Sequence, residues 1–246
     1  MPSSSTGHTG ILLQAGSTIA VTDVQITGGA IGIQNHNQQV IFKNIYFKFC
    51  TTAYAALSGF SSLLQGVTFD TCGVGIDATG SHGEVVLLDS TSTNSGNTVV
   101  FKDSSNDAGK RNNQIVIQNL KHDTNNPIAV TSANQVVLAA QSAVDTWVWG
   151  NAVPGQYQKG TQYTTPRSQA LLDGSGKFFM KDAPTFAHYA KDQIVNVKDA
   201  GLDVKGDGRT DDSAALNAIL LQNAANCKIT YDYSLTFLTN LPVNID

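Results

Sequence analysis

Short apolar clusters recur along the first 150 residues with a nearly constant step. Val24-Gln25-Ile26, Ile45-Tyr46-Phe47, Val67-Thr68-Phe69 and Leu87-Leu88 are the clearest, and anchoring on Val24, Ile45, Val67 and Leu88 gives steps of 21, 22 and 21 residues. A second series keeps the same phase: Ala30-Ile31-Gly32-Ile33 returns as Gly73-Val74-Gly75-Ile76, with Thr52-Ala53-Tyr54-Ala55 as the copy between them. Strands this short, separated by Gly, Asn or Ser, cannot bury an apolar face alone. The period therefore predicts coils that stack, each strand pairing in parallel with its copy one turn on. The expected fold class is all-β, a parallel β-helix of about 21–22 residues per coil over residues 1–150; an open sandwich is the competing arrangement for strands at such spacing. Less regular turns at Gln114 to Leu120, Ile128 to Val130, Val136 to Ala139 and Val144 to Trp149 extend the solenoid. The longer step from Leu88 to Leu120 leaves Asn94 to Asn113 as a polar excursion.

From about Gly150 the period stops. Residues 151–193 contain Pro154, Pro166 and Pro184 with scattered aromatics such as Tyr157, Tyr163, Phe178 and Phe179, which reads as an inter-domain linker packed along a surface. A new unit, 194–246, opens with the strand Ile194-Val195-Asn196-Val197. Thr210 is the expected helix N-cap, Asp211 and Asp212 fall in the first turn, and Ala214 to Leu221 carry a helix over about 211–222. Strands at Ile229 to Tyr231 and Leu235 to Leu238 follow.

Composition sharpens this picture. Charged residues make up 14% and apolar residues 41%, so the polarity comes from Ser, Thr, Asn, Gln and Gly. Glu84 is the single glutamate, and the net charge of −4 offers no basic surface for a phosphate backbone, which argues against nucleic-acid binding. No window approaches 18 uninterrupted apolar residues, and Met1 to Gly10 lacks the form of a secretion signal. The acidic cluster Asp203, Asp207, Asp211, Asp212 fails as a calcium loop, because Lys205 and Ala214 stand where oxygen ligands are needed. His8, His36, His82, His122 and His188 lack ligand spacing, so neither metal nor cofactor is expected. Gly28-Gly29-Ala30-Ile31-Gly32 precedes a strand rather than a helix and reads as a coil corner. Cys50 and Cys72, 22 residues apart, stack on adjacent coils either as a disulfide or as two buried thiols, with Cys227 left over.

The stretch Val197-Lys198-Asp199, with K-G-D-G-R-T-D-D-S-A-A-L-N-A-I-L from Lys205 to Leu220, resembles the opening strand and capping helix of the pectate-lyase-like, right-handed β-helix superfamily. The order of parts is more specific: a first helix ending in Trp147-Val148-Trp149-Gly150, then L-L-D-G-S-G-K-F-F from Leu171 to Phe179, then a second opening motif. This arrangement is similar to glycoside hydrolase family 55, the two-helix exo-β-1,3-glucanases, and covers almost the whole chain as later coils of the first helix, the linker and the truncated start of the second.

The resemblance implies an extracellular, inverting hydrolase that releases glucose from laminarin-like β-1,3-glucan and is monomeric in its full-length form. It implies a glutamine and a serine on the first helix that hold the attacking water, matched by Gln34 and Ser58, with Tyr54 as a pocket wall. In the stacking register Gln34 aligns with Ala56, and Asp77, one turn further, reaches the same face as a substrate-binding carboxylate that could serve as base. The family's general acid belongs to the second helix, which places it beyond Asp246 and implies that this piece alone is inactive. The alternatives are a non-catalytic β-helix module for polysaccharide binding or adhesion and, third, a pectate lyase, whose calcium-binding carboxylate cluster is missing.

Overall fold

The period is realised as a right-handed parallel β-helix in a computed structural model that describes residues 7–14, 16–103, 113–153, 156–181, 190, 193–197, 201–224, 229–231 and 236–238. The chain divides into two compact units, Met1–Ala183 and Pro184–Asp246. In the first, one coil carries β1 (Thr9–Leu13) and β2 (Thr18–Thr27), and the next carries β3 (Ile31–Asn35) and β4 (Gln39–Lys48). Then follow β5 (Thr52–Ala56), β6 (Ser58–Gln65) and β7 (Thr68–Asp70); β8 (Val74–Ala78), β9 (Ser81–Leu88) and β10 (Thr91–Thr93); β11 (Asn97–Phe101), β12 (Gln114–His122) and β13 (Ala129–Thr131). Strands β1, β3, β5, β8, β11 and β13 stack in parallel as one sheet. Strands β2, β4, β6 with β7, β9 with β10, and β12 form the other.

What bends each coil is a left-handed residue repeated at one level, inside β2, β4 and β12 and between β6 and β7 and between β9 and β10. Asp23, Asn44, Gly66, Asp89 and Asn119 all have φ between 51° and 66°, a region open to Gly and tolerated by Asn and Asp, whose short polar side chains bond locally. The spacing of this ladder corrects the last anchor of the sequence period: Leu88 pairs with Gln65 rather than with Val67. It is Asp89 that repeats Gly66. Inside the coils, identical levels build ladders. Ile33, Tyr54, Ile76 and Val99 are in register and fully buried, and Phe47 stacks on Phe69 at 5.9 Å. These rings press on glycine backbone: a Cβ on Gly32 would stand 2.7 Å from the Phe47 ring and 2.5 Å from the Ala53 carbonyl oxygen. Cys50 and Cys72 are buried free thiols, held up in the protonated form at Cys72 by the adjacent Cys50 sulfur and by burial. Cys227 lies outside the described residues.

Three expectations change here. Val99 to Phe101, assigned to a polar excursion, are instead a coil strand, and 104–112 lie outside the described residues. The turns at Val136 to Ala139 and Val144 to Trp149 do not extend the parallel stack: β14 (Val136–Leu138) and β15 (Ala143–Val153) pair antiparallel with β13 and β12. That reversal closes the core. Trp147 and Trp149, two residues apart on one face, cover its end against Phe101 at 6.3 and 5.3 Å. Finally, part of the expected linker is sheet, since β16 (Gln156–Tyr163) pairs with β15.

Residues 164–181 then strap back onto the coils. Asp89, its side chain fully buried, accepts two bonds from Arg167 Nη2 at 2.8 and 2.9 Å, one from the Phe178 N–H at 2.8 Å and one from Asn119 at 2.5 Å. The Arg167 guanidinium lies 3.8 Å over the Phe178 ring, and Met180 packs on the bare Cα of Gly66. One corner carboxylate therefore fixes both the bend of its own coil and the strap.

In the second unit, β17 (Ile194–Asn196) pairs in parallel with β19 (Ile229–Tyr231), and β18 (Asp207–Asp211) with β20 (Thr236–Leu238). Between them α1 (Ser213–Ala224) buries Ile219 against Val197 and Val204. The helix starts two residues later than expected. Asp212 occupies the cap position, with its carbonyl taking the Leu216 N–H, while its carboxylate binds the N–H groups of Lys205 and Gly206. Thr210 bonds to Asp207 instead.

Asp89→Ala leaves the largely buried Arg167 guanidinium without its carboxylate, with the Gly176 carbonyl and the Phe178 ring as its remaining partners, a loss of about 3–5 kcal/mol for a broken buried pair. Urea denaturation is expected to show that loss, limited trypsin digestion to open the 164–181 strap first, and Asp89→Ala with Arg167→Met to regain part of it. A second expectation concerns pH. His82 and His122 are buried, and desolvation lowers both below the ordinary 6.5, outweighing the attraction of Asp77 and Asp123. The unfolded chain then binds protons that the folded one refuses, so stability is complete above pH 6.5 and declines as pH falls through 6.5 toward the depressed values. The melting temperature should drop between about pH 7.5 and pH 5, and drop less in His82→Gln.

Candidate functional site

The run Gln34-Asn35-His36-Asn37-Gln38-Gln39 interrupts the apolar pattern at the turn between β3 and β4. Alternation along β3 points Ile33 into the core and Gln34 outward, half-buried. The register places Leu12, Gln34, Ala55, Asp77 and Val100 in one outward row. Gln34 therefore aligns with Ala55 rather than Ala56, a shift of one residue that nonetheless keeps Asp77 on the expected face. Two coil steps separate Gln34 from Asp77, roughly 9–10 Å along the row. Ala55 between them is too short to reach the level of their polar ends.

Gln34 Nε2 bonds to His36 Nε2 at 2.9 Å. His36, with Gly16, Ser17 and Gln38, lines a shallow cleft of about 270 Å³. Two buried asparagines brace this turn. Asn35 Oδ1 accepts the Asn37 N–H at 3.0 Å, and Asn37 Oδ1 accepts the Gly16 N–H at 2.5 Å. Asn37 Nδ2, packed directly beneath Gly16, is left buried with no partner, a costly position for a donor.

Ser58 opens β6, half-buried and one coil on from this turn. Its neighbour Leu57 donates to the Asn35 carbonyl, and Gly59 lies against the Asn37 carbonyl, where a Cβ would come within 2.3 Å. The fold thus brings Ser58 beside the His36–Asn37 turn, although Gln34 bonds to His36 rather than to Ser58. Asp77 holds its own loop, with Oδ1 accepting from Thr79 N–H at 3.0 Å and Thr79 Oγ1 at 2.7 Å. Below it, His82 Nε2 bonds to the Ala78 carbonyl at 2.9 Å and Nδ1 is buried without a partner; burial keeps this imidazole neutral.

Tyr54 is a correction. It shares the inward level of Ile33 and Ile76, is fully buried, and bonds to Ser62 Oγ at 2.7 Å inside the core, packed edge-on against Phe42. Burial pushes its phenol up to about 12. It cannot form a pocket wall; it supports the strand that carries Ala55. Glu84 lies on β9, in the other sheet from Gln34 and Asp77, and accepts from Ser61 Oγ at 3.1 Å. His36 is the residue that the sequence pattern left unassigned. The signal was present, as an unbroken six-residue polar run between two strands of regular period.

Comparison with known proteins gives this geometry relatives. The family model described as rhamnogalacturonase A/epimerase, pectate lyase-like, matches residues 1–77, which include β1 to β7 and the cleft. A glucan 1,3-beta-glucosidase of Cochliobolus carbonum is 31% identical over 240 residues, covering 91% of this chain and 30% of that protein. A glucan endo-1,3-beta-glucosidase of Trichoderma harzianum is 31% identical over 214 residues, 85% of this chain and 27% of that protein. A protein of Penicillium expansum named as the non-secreted LysM effector LysM19 is 26% identical over 238 residues, 88% of this chain and 18% of its own length. The chain thus spans less than a third of these three relatives. Stacked parallel coils, the match to the pectate-lyase-like model and the glucanase relatives agree: the chain belongs to the pectate-lyase-like right-handed β-helix proteins and, within them, to the kin of glycoside hydrolase family 55.

Proposed function

We propose that this chain is part of a β-1,3-glucan hydrolase that works from chain ends on laminarin-like glucan with inversion, and that the β3–β4 turn holds the attacking water. The reading rests on one observation above others: Gln34 projects outward beside the cleft and in the same row as Asp77, two coil steps away. Inverting hydrolysis needs an acid and a base separated enough to admit a water, about 6.5–9.5 Å between carboxyls. The amide oxygen of Gln34 can accept one water hydrogen while His36 fixes its nitrogen, and Ser58 borders the same turn. A neutral amide takes no proton. Asp77, the carboxylate of that row, is the group to receive it as the water oxygen bonds to the anomeric carbon and the glycosidic C–O bond breaks.

The leaving oxygen needs a proton from elsewhere. Glu84 is bound to Ser61 on a different sheet, so the proposed acid comes from outside these 246 residues. The same reading takes the second unit as the start of another β-helix, the working protein as a secreted monomer, and the partner as a neutral polysaccharide. Against secretion stands the relative named as a non-secreted LysM effector. The second reading is a non-catalytic polysaccharide-binding module.

Incubating the purified chain with laminarin and titrating it with laminarihexaose tests the glucan assignment. Binding without glucose release is the expected outcome for the chain by itself. Where glucose is released, its α anomer should appear first by NMR, and Gln34→Ala should slow release by roughly 10²-fold or more. Release abolished by Glu84→Gln would overturn the placement of the acid, oligosaccharide products would overturn the exo mode, and no binding at all would overturn the glucan assignment.

A further inference from the structure

The cleft continues along the solenoid. The Gln38 N–H donates to the Gly16 carbonyl at 3.3 Å, and the Gln38 carbonyl accepts the Phe60 N–H at 2.6 Å. Phe60 in turn lies beside Gly83, where a Cβ would stand 2.2 Å from the Phe60 carbonyl oxygen. Gln38, Phe60 and Gly83 therefore form a row along the axis, one residue per coil and about 4.8 Å apart, with Gly16 beside its first member across the cleft. A polar row runs next to it: the Gln39 N–H bonds to Ser17, and Gln39, Ser61 and Glu84 are in register, with Ser61 Oγ donating to Glu84.

Phe60 is the anomaly in this setting. Its ring is 62% exposed, one residue before Ser61 of the polar row and level with Gln38 of the cleft, and the residue beside it is a glycine that leaves its flank open. A flat, electron-rich aromatic face attracts the weakly positive C–H groups of a pyranose ring. The polar row alongside supplies acceptors and donors at the level of the sugar hydroxyls. An anionic ligand finds no matching charge here, whereas a neutral sugar chain finds both a platform and an edge.

We propose that Phe60 is a sugar-stacking platform in an extended track, and that a β-1,3-glucan chain lies along the solenoid axis from the Gly16–Gln38 cleft across Phe60 to Glu84. This rests on the glucan assignment made above and adds the direction of the chain and its principal apolar contact. In this role Glu84, oriented by Ser61, receives sugar hydroxyls and transfers no proton.

The test is calorimetric titration of the purified 246-residue chain with laminarihexaose, and with cellohexaose for linkage. Phe60→Ala should weaken laminarihexaose binding by about tenfold, the effect of removing a central aromatic anchor, and Phe60→Trp should retain it. Because the ring is exposed, Phe60→Ala keeps the melting temperature of the parent. Phe179→Ala, which removes another exposed ring in the same unit, 69% accessible, should leave binding unchanged. Equal affinity of the parent and Phe60→Ala overturns the track and leaves the glucan assignment standing. A parent chain that does not bind laminarihexaose overturns the glucan assignment and the track together.

Discussion

Each coil of this solenoid must turn its backbone through a left-handed residue at the same level as the coil before it. Asp23, Asn44, Gly66, Asp89 and Asn119 meet that requirement in succession, and their agreement keeps neighbouring strands about 4.8 Å apart and in register. If one corner moved along the chain by a residue, every side chain after it would exchange inside for outside. The Ile33–Tyr54–Ile76–Val99 ladder and the Phe47–Phe69 stack both follow from corners that do not slip. The polar corner side chains also tie adjacent coils to each other, as Asn44 does to Asp23 at 2.7 Å.

Asp89 shows how a corner takes on a second task. Its carboxylate is buried, which costs solvation, and the cost is offset only by a complete set of donors from Arg167, Phe178 and Asn119. The strap that supplies two of those donors crosses back from beyond β16. An apparently structureless, proline-bearing segment is thereby part of the first compact unit rather than a free tether.

The candidate site obeys the same geometry. Alternation on β3 and β8 turns Gln34 and Asp77 outward, while Asn35 and Asn37 brace the turn from within. His36 and Phe60 come into play only because adjacent coils lie side by side. His36 supplies a ring nitrogen to Gln34, and Phe60, bonded to Gln38 through the backbone, extends the cleft along the axis. Low charge over this surface is consistent with a neutral ligand held by hydrogen bonds and ring contacts.

The parallel coil and its 21–22 residue period were legible in the chain because identical levels repeat side chains of identical character, so apolar and corner positions recur visibly at Val24, Ile45 and Val67. The outward direction of Gln34 was legible for the same reason. The facing of Tyr54 was not: within Thr52-Ala53-Tyr54-Ala55, small and large residues alternate without a polar marker, and only the register with Ile33 and Ile76 turns the ring inward. Nor could the antiparallel β15 be read, since an apolar strand carries no sign of its direction and Trp147 and Trp149 fit either. The Asp89–Arg167 pair joins residues 78 positions apart. Local pattern determined which residues form coils; which distant groups meet across them was decided by tertiary packing, because burial of a charge is settled by its partners and not by its neighbours in sequence.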